Sequence, residues 1–456
     1  MRNYDLIVIG GGTAGLNVAR PASARGWQVA LVEAEQLGGT CVNRGCIPTK
    51  TLIHSAKVMH QVKTARHFGI QTGEPQADWP SMVARKDDVV RRMRDANYRS
   101  IEANDHIAFY EGAASFSGPQ TLEVKGQHMT ADRIVIATGA GPFIPPIPGL
   151  EETNYLTSTS VMELETLPET LLIIGGGIIA VEFSQMLARL GVNVTIVQRS
   201  DRLAPNLEPD ISETLQKILE KENIAVVTDA EVEEVIQKDD HIIIRATGKN
   251  DTSEEWTVKK VLVATGRAPN TATLNLEKAN VSTNARGYIE VDHTFATSAP
   301  GIWAIGDVIG GAMFTHKAWH DGVLLARHLL DGASIHSEER LIPFGVFNDP
   351  EIAGVGLGFE AAKDQGYPVR IQTFPFENVG RARAMGEREG FVQLVVEEET
   401  DTILGAHIIG PQAGEIIHEL VMAMRLKATL HDLQDMMHIH PTLAESINST
   451  GLATPD

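Results

Sequence analysis

Residues 5–33 read DLIVIGGGTAGLNVARPASARGWQVALVE. The apolar run at 5–10 ends in glycine and predicts a short strand buried on both faces. Gly10, Gly12 and Gly15 complete G-x-G-x-x-G, a helix is predicted over roughly 14–25, and WQVALVE predicts a second strand that ends at Glu33, 18 residues beyond Gly15. This is one βαβ unit. The pattern returns 165 residues later as LLIIGGGIIAVEFSQMLARLGVNVTIVQ, residues 171–198. Two copies so far apart imply two nucleotide-binding domains rather than a short-period repeat array.

In such a loop the glycines permit a tight turn and a close approach of backbone to a pyrophosphate. The helix N-terminus then faces the phosphates, and an acid at the tip of the next strand can accept from a ribose hydroxyl. Glu33 is that acid in the first copy. The second copy has Gly175, Gly177 and Ala180, the G-x-G-x-x-A form, and its strand ends in Gln198 followed by Arg199. An acid there would repel a 2′-phosphate, whereas Arg199 could pair with one. This favours NADP. Arg199 could equally be a solvated surface residue, with Gln198 on the ribose of NAD.

Between the copies, residues 107–124 and 133–137 read as strands, and GPFIPPIPG (141–149) as a proline-rich joint. VLVATGRAPN (261–270) closes the second unit, and its ATGR echoes IVIATGA (134–140). IWAIGDV (302–308) is a further buried strand ending in an acid. From about 337 the composition changes. FGVFNDPEIAGVGL, GFVQLVVEEE and TILGAHIIG read as strands and EIIHELVMAMRL as a helix, without a glycine loop. The expected fold is α/β, with two Rossmann-like dinucleotide-binding domains and a C-terminal α+β domain.

The chain of 456 residues has two cysteines, Cys41 and Cys46, in GGTCVNRGCIPTK (38–50). Zinc asks for about four ligands, and iron–sulfur clusters ask for more cysteines than the chain has. A redox-active disulfide needs only two thiols that can reach each other. A helix beginning at 42–46 would stabilise a thiolate at its N-terminus. No metal site is expected. The balance of 39 basic and 59 acidic residues, a formal charge of -20, argues against nucleic acid and anionic membrane as partners. No apolar stretch of about 18 residues is present to span a membrane, and the N-terminus lacks the pattern of a signal peptide. A cytoplasmic location is expected.

GGTCVNRGCIPTK after an N-terminal GxGxxG, the second nucleotide loop, IWAIGDV, and HIHPTLAE at 438–445 together resemble the flavoprotein disulfide reductases, along essentially the whole chain. The resemblance implies a homodimer with FAD on the first loop and NAD or NADP on the second. It implies an FAD-binding domain at 1–147 and 268–336, an NAD(P)-binding domain at 148–267 and a dimerisation domain at 337–456. Cys46 would face the flavin and Cys41 would exchange with substrate. Lys50 would lie near flavin N5 with Glu182 as its partner. Thr40, Ala114, Thr138, Gly139, Asp307 and Thr315 would contact FAD, and Gly266 and Arg267 would also serve cofactor binding. His440 would act across the dimer on the partner's cysteines. It has its own chemical logic as a base for an attacking dithiol, with Glu445 fixing its tautomer, and His438 is expected to be structural.

Within that family, HIHPTLAE and FTHKAWHDG (314–322) are most similar to the dihydrolipoamide dehydrogenases. QRSDRLAPNLEPDISE (198–213) and VATGRAPNTATLNLE (263–277) are similar to the nucleotide domain of mercuric reductases. Against glutathione reductase, Val323 stands where those enzymes carry a glutathione-binding arginine, although Arg20 matches another. Against mercuric reductase, the chain has no C-terminal cysteine pair and no leading metal-binding domain. The expected activity is a dithiol/disulfide exchange with a lipoyl-type partner, small molecule or carrier protein, coupled to NAD(P). The alternatives are an NADPH-dependent mercuric-reductase-like or other disulfide reductase, and a flavin redox sensor without turnover.

Overall fold

The computed structural model describes residues 2–337 and 340–452, so the last four residues of the expected third domain lie outside the described residues. Five parallel strands form the first sheet, in the order Ile302–Ala304, Ile134–Ile136, Leu6–Ile9, Val29–Glu33, Ile107–Glu111. Leu6, Ile7, Val8, Val29, Ala30 and Leu31 are fully buried, because helices or other strands cover both faces. The helix Thr13–Ala24 follows the first strand. It packs against the helix Thr315–Asp331, where a Cβ on Gly322 would stand 2.5 Å from the Ala14 carbonyl oxygen.

The second glycine loop belongs to a four-stranded parallel sheet, ordered Ala225–Val227, Asn193–Val197, Thr170–Ile174, Lys260–Val263. The helix Ile178–Arg189 lies after its central strand. The two echoing passages meet: Ala140–Pro142 pairs antiparallel with Arg267–Pro269 and joins the two parallel-sheet units. Residues 344–410 build a five-stranded antiparallel sheet, ordered Phe344–Val346, Glu351–Gly356, Ile403–Gly410, Phe391–Glu397, Val369–Pro375, with the helix Ala413–Arg425 packed on it. The fold is therefore α/β with a C-terminal α+β unit. Among the described residues no helix is long and apolar enough to cross a membrane.

Candidate active site

Because all five strands of the first sheet run parallel, the segments after them emerge at one edge, where ligands bind in open α/β sheets. Gly10 follows the first strand and Glu33 ends the second, while Thr138 with Gly139, Ala114 and Asp307 come after three others. The glycines are sterically required. Gly10 has φ +110°, and a Cβ there would lie 2.3 Å from the Ala137 carbonyl oxygen. A Cβ on Gly15 would lie 2.0 Å from the Gly10 carbonyl oxygen. Gly12 caps the helix Thr13–Ala24 with no side-chain hydrogen bond, leaving first-turn N–H groups available to an anion. Glu33 accepts from Gly11 N at 2.7 Å and from Glu35 N at 2.8 Å, which leaves lone pairs on both oxygens. Burial raises its pKa despite those donors.

The loop Thr138–Gly139 is held by Asn270, whose Nδ2 donates to Thr138 O at 2.9 Å and whose backbone N donates to Gly139 O at 3.0 Å. Arg267 comes within 4.0 Å of Asp307, and its buried Nε has no hydrogen-bond partner. Burial also raises the Asp307 pKa. A bare helix N-terminus, a glycine cradle, an acid at the strand tip and an orphaned guanidinium nitrogen suit a dinucleotide with a pyrophosphate and a ribose.

The cysteine segment sits directly on this cradle. Gly38 N donates to Gly11 O at 2.9 Å, and a Cβ on Gly39 would stand 2.8 Å from Gly12 Cα. Cys41 lies in the short helix Gly39–Asn43, and Cys46 is the first residue of the long helix Cys46–Thr64. The long helix thus begins at the second cysteine, at the end of the 42–46 window expected from sequence, and Gly45, at φ -124° and ψ -110°, separates it from the short helix. Both cysteines are free thiols and share a hydrogen bond. That bond, donated by Cys41, is the main cause lowering the Cys46 pKa to about 6, with Thr315 and Lys50 helping against burial. Cys41 is raised, first by the same bond and then by burial. Thr315 Oγ1 lies 3.2 Å from Cys46 Sγ. Thr40, next to Cys41, accepts from Arg44 N at 3.0 Å through its carbonyl.

Lys50, on the turn of helix after Cys46, donates to both oxygens of Glu182 at 2.9 and 2.8 Å. Phe347 N also donates to Glu182 Oε1 at 2.9 Å, and the Lys50 Nζ lies 4.8 Å from the Phe347 ring centre. Sequence reading missed Phe347 and Asn270. Each acts through backbone or loop geometry, which leaves no motif.

The second loop repeats the first with changed chemistry. Gly175 has φ +100° and faces Ala264 O, Gly177 caps the helix Ile178–Arg189 with open space around it, and Ala180 is fully buried. Gln198 Oε1 accepts from Gly176 N at 2.8 Å, the bond Glu33 makes in the first loop, and its Nε2 donates to Ser200. The Arg199 side chain is 80% exposed and comes within 3.8 Å of Glu231. Gly266, at φ +129°, has open space where a side chain would stand.

His440 stands apart from these residues. Its Nδ1 lies 2.8 Å from Glu445 Oε1, and Glu445 is also fixed by Thr442 N at 2.8 Å. These bonds lower the Glu445 pKa. The His440 side chain is 77% exposed and neighbours Met437 and Ile439, exposed by 96% and 80%. His438, by contrast, is buried against Glu419 at 2.9 Å. No group of His, Cys, Asp and Glu able to hold a metal occurs among the described residues. A cavity of about 1210 Å³ beside Met59, Trp79 and Pro168 contains none of the site side chains.

Residues 4–322 match the family described as Pyridine nucleotide-disulphide oxidoreductase, and residues 342–450 match its dimerisation domain. The chain is 38% identical over 451 residues to a dihydrolipoyl dehydrogenase of Thermus scotoductus, covering 98% of this chain and 96% of that one. It is 37% identical over 452 residues to a mercuric reductase of Staphylococcus aureus, covering 99% of this chain and 82% of that one. A solved Cu(II) complex of the HOCl-induced flavoprotein disulfide reductase RclA from Escherichia coli superposes with a TM-score of 0.90 at 32% identity, over 99% of both chains. The chain belongs to the pyridine nucleotide-disulphide oxidoreductases, a family that depends on FAD and NAD(P).

Proposed function

We propose that this protein is a homodimeric, cytoplasmic FAD enzyme that passes electrons between a lipoyl-type dithiol and NAD(P), with NADP favoured, through Cys41 and Cys46. Residues 1–147 and 268–336 hold FAD, 148–267 the nicotinamide nucleotide, and 337–456 the dimer contact. FAD, when bound, supplies the two-electron carrier between the nicotinamide and the disulfide. Gly10, Gly12, Gly15, Glu33, Thr40, Ala114, Thr138, Gly139, Asp307 and Thr315 would hold it, and Lys50, paired with Glu182, would supply a positive charge to it. Gly175, Gly177, Ala180, Gln198, Arg199 and Gly266 serve the nicotinamide nucleotide, and Arg267, beside Asp307, serves cofactor binding on the FAD side.

The observation that carries the lipoyl reading is the His440–Glu445 pair. A carboxylate only accepts, so Nδ1 carries the hydrogen and Nε2 is left as a base. The exposed apolar residues around it suit burial against a second subunit, where His440 would face the partner's thiols. In the oxidised protein, His440 Nε2 takes the proton of one dihydrolipoyl thiol. That sulfur attacks Cys41 Sγ, the Cys41–Cys46 bond breaks, and the electron pair leaves on Cys46. A leaving thiol of low pKa departs faster, and Cys46 is the low one. His440 releases that proton to solvent and takes the proton of the second lipoyl thiol, whose sulfur attacks the lipoyl sulfur bound to Cys41; Cys41 leaves and takes the proton held by His440. The lipoyl group becomes the disulfide, and the protein holds a thiol at Cys41 and a thiolate at Cys46.

A second reading is reduction of a soft metal ion at the same two thiols. It is supported by the mercuric reductase relative and by the Cu(II) complex of RclA. Turnover of lipoamide, a lipoylated carrier protein, glutathione disulfide, Hg(II) and Cu(II), each with NADH and NADPH, separates the readings. Lipoyl substrates are expected to be fastest. A metal rate well above the lipoamide rate, lost in Cys41→Ser, would replace the first reading with the second. No turnover with any of them would leave a redox sensor.

A further inference from the structure

Glu182, Gln185 and Arg189 fall at i, i+3 and i+7 on one face of the helix Ile178–Arg189. Lys50 and Lys57 fall at i and i+7 on one face of the helix Cys46–Thr64. Two stripes with this spacing run side by side. The first rung between them is Lys50–Glu182. The second is Lys57 with Arg189, and both meet the same carboxylate, Asp349, at 3.2 and 2.8 Å. Arg189 also grips Glu222 through Nε at 2.8 Å and Nη2 at 2.7 Å. Against the cost of burial, Lys57 and Arg189 hold the Asp349 carboxyl below its usual range.

Asp349 belongs to the C-terminal unit, in the loop between the strands Phe344–Val346 and Glu351–Gly356. Each of three consecutive loop residues bonds to the helix Ile178–Arg189. Phe347 N donates to Glu182, Asn348 Nδ2 donates to Val181 O at 2.9 Å, and Gln185 takes Asp349 N at 2.8 Å and gives to Asp349 O at 2.7 Å. A cavity of about 120 Å³ runs between the rungs, with Asn348 Oδ1 buried at its side without a partner. Nothing in the proposed chemistry uses Arg189, Lys57 or Asp349, yet their placement decides where the Phe347 amide points.

We propose that Arg189, Lys57 and Asp349 are positioning residues: by fixing the 347–349 loop they aim the Phe347 N–H at Glu182 and set the contact of Glu182 with Lys50. This rests on reading Lys50–Glu182 as the pair beside the flavin. One amino group, that of Lys50, and one amide, that of Phe347, then share the Glu182 carboxylate in a fixed arrangement, and Lys50 keeps a defined part of its charge for the Cys46 thiolate.

The test uses the FAD-loaded protein with Asp349→Asn, Lys57→Gln as a milder and less buried change, Glu182→Gln, and the Asp349→Asn/Glu182→Gln double variant. Amide exchange at Phe347 is expected to quicken in Asp349→Asn and, less, in Lys57→Gln. Single-turnover flavin reduction by NADPH is expected to slow by roughly ten- to a hundredfold in Asp349→Asn, the scale of a small misplacement. The double variant should be no slower than Glu182→Gln alone. The alkylation midpoint of Cys46 should move down, because a loosened Glu182 neutralises less of Lys50. Faster Phe347 exchange with unchanged flavin reduction, or slowing that multiplies in the double variant, would overturn the inference. If Glu182→Gln alone leaves flavin reduction unchanged, the reading of the Lys50–Glu182 pair fails, and the inference with it. If Asp349→Asn does not fold, Lys57→Gln decides by the same measurements.

Discussion

The two glycine loops are built alike and finished differently. In each, a glycine at strongly positive φ turns the chain, Gly10 at +110° and Gly175 at +100°. In each, a residue at the tip of the next strand accepts a hydrogen bond from the loop, Glu33 at its end from Gly11 and Gln198 just past its end from Gly176. The first loop is crowded: Gly15 is pressed against Gly10, and the cysteine segment is stacked on Gly12. The second loop is as tight at Gly175, where a Cβ would lie 2.6 Å from the Ala264 carbonyl oxygen, but it is open at Gly177, tolerates Ala180, and presents neutral Gln198 and exposed Arg199 where the first presents an anion. On the proposed reading the backbone geometry suits a dinucleotide in both places, and the residues at the strand tip choose between them.

Breaking the crowded loop should have the largest effect. In Gly15→Ala the new Cβ meets a backbone oxygen that no side-chain rotation can clear. The variant is expected to purify without flavin, seen as loss of visible absorbance, whereas the reciprocal Ala180→Gly should keep its flavin and cost at most about 1 kcal/mol of helix stability. Full flavin content in Gly15→Ala would mean that the two loops are interchangeable.

The thiols above the first loop give the next test. Cys46 should titrate near pH 6, being protonated and slow to alkylate below that value and thiolate above it. Cys41, raised by the same hydrogen bond, should stay a thiol through neutral pH. Differential labelling of the reduced protein across pH checks both. Equal reactivity of the two at pH 7 would contradict the shared bond.

The smallest of these effects is at the second strand tip. Arg199→Glu should shift preference from NADPH towards NADH by roughly ten- to a hundredfold in affinity, the value of one charge-assisted bond of about 1.5–3 kcal/mol. Unchanged selectivity would leave Arg199 as a solvated side chain and Gln198 as the ribose contact.

The parts legible in sequence are those where one residue type is sterically or chemically required. The glycines of both loops, Glu33 and the cysteine pair could be named because few other residues do their work. The antiparallel pairing of 140–142 with 267–269 showed only as an echo between ATGA and ATGR. Phe347 was illegible because it serves Glu182 through its backbone N–H, which every residue except proline possesses. Arg189 and Asp349 were hidden for another reason. Their partners lie 33 or more residues away in sequence, so no local spacing announces them. The beginning of the long helix at Cys46 was blurred by Gly45, which sequence reading did not treat as a break.

On the proposed reading, electron transfer runs between Cys41–Cys46 and a lipoyl dithiol with His440 as base. Its most direct test is stopped-flow reduction of the oxidised, FAD-loaded protein by dihydrolipoamide in wild type and His440→Ala, with reduction by NADPH followed in the same preparations. The expected result is a loss of roughly 10²–10⁴-fold with dihydrolipoamide, the scale of a positioned acid–base, and a nearly unchanged rate with NADPH. An equal loss in both half-reactions, or none with dihydrolipoamide, would contradict it.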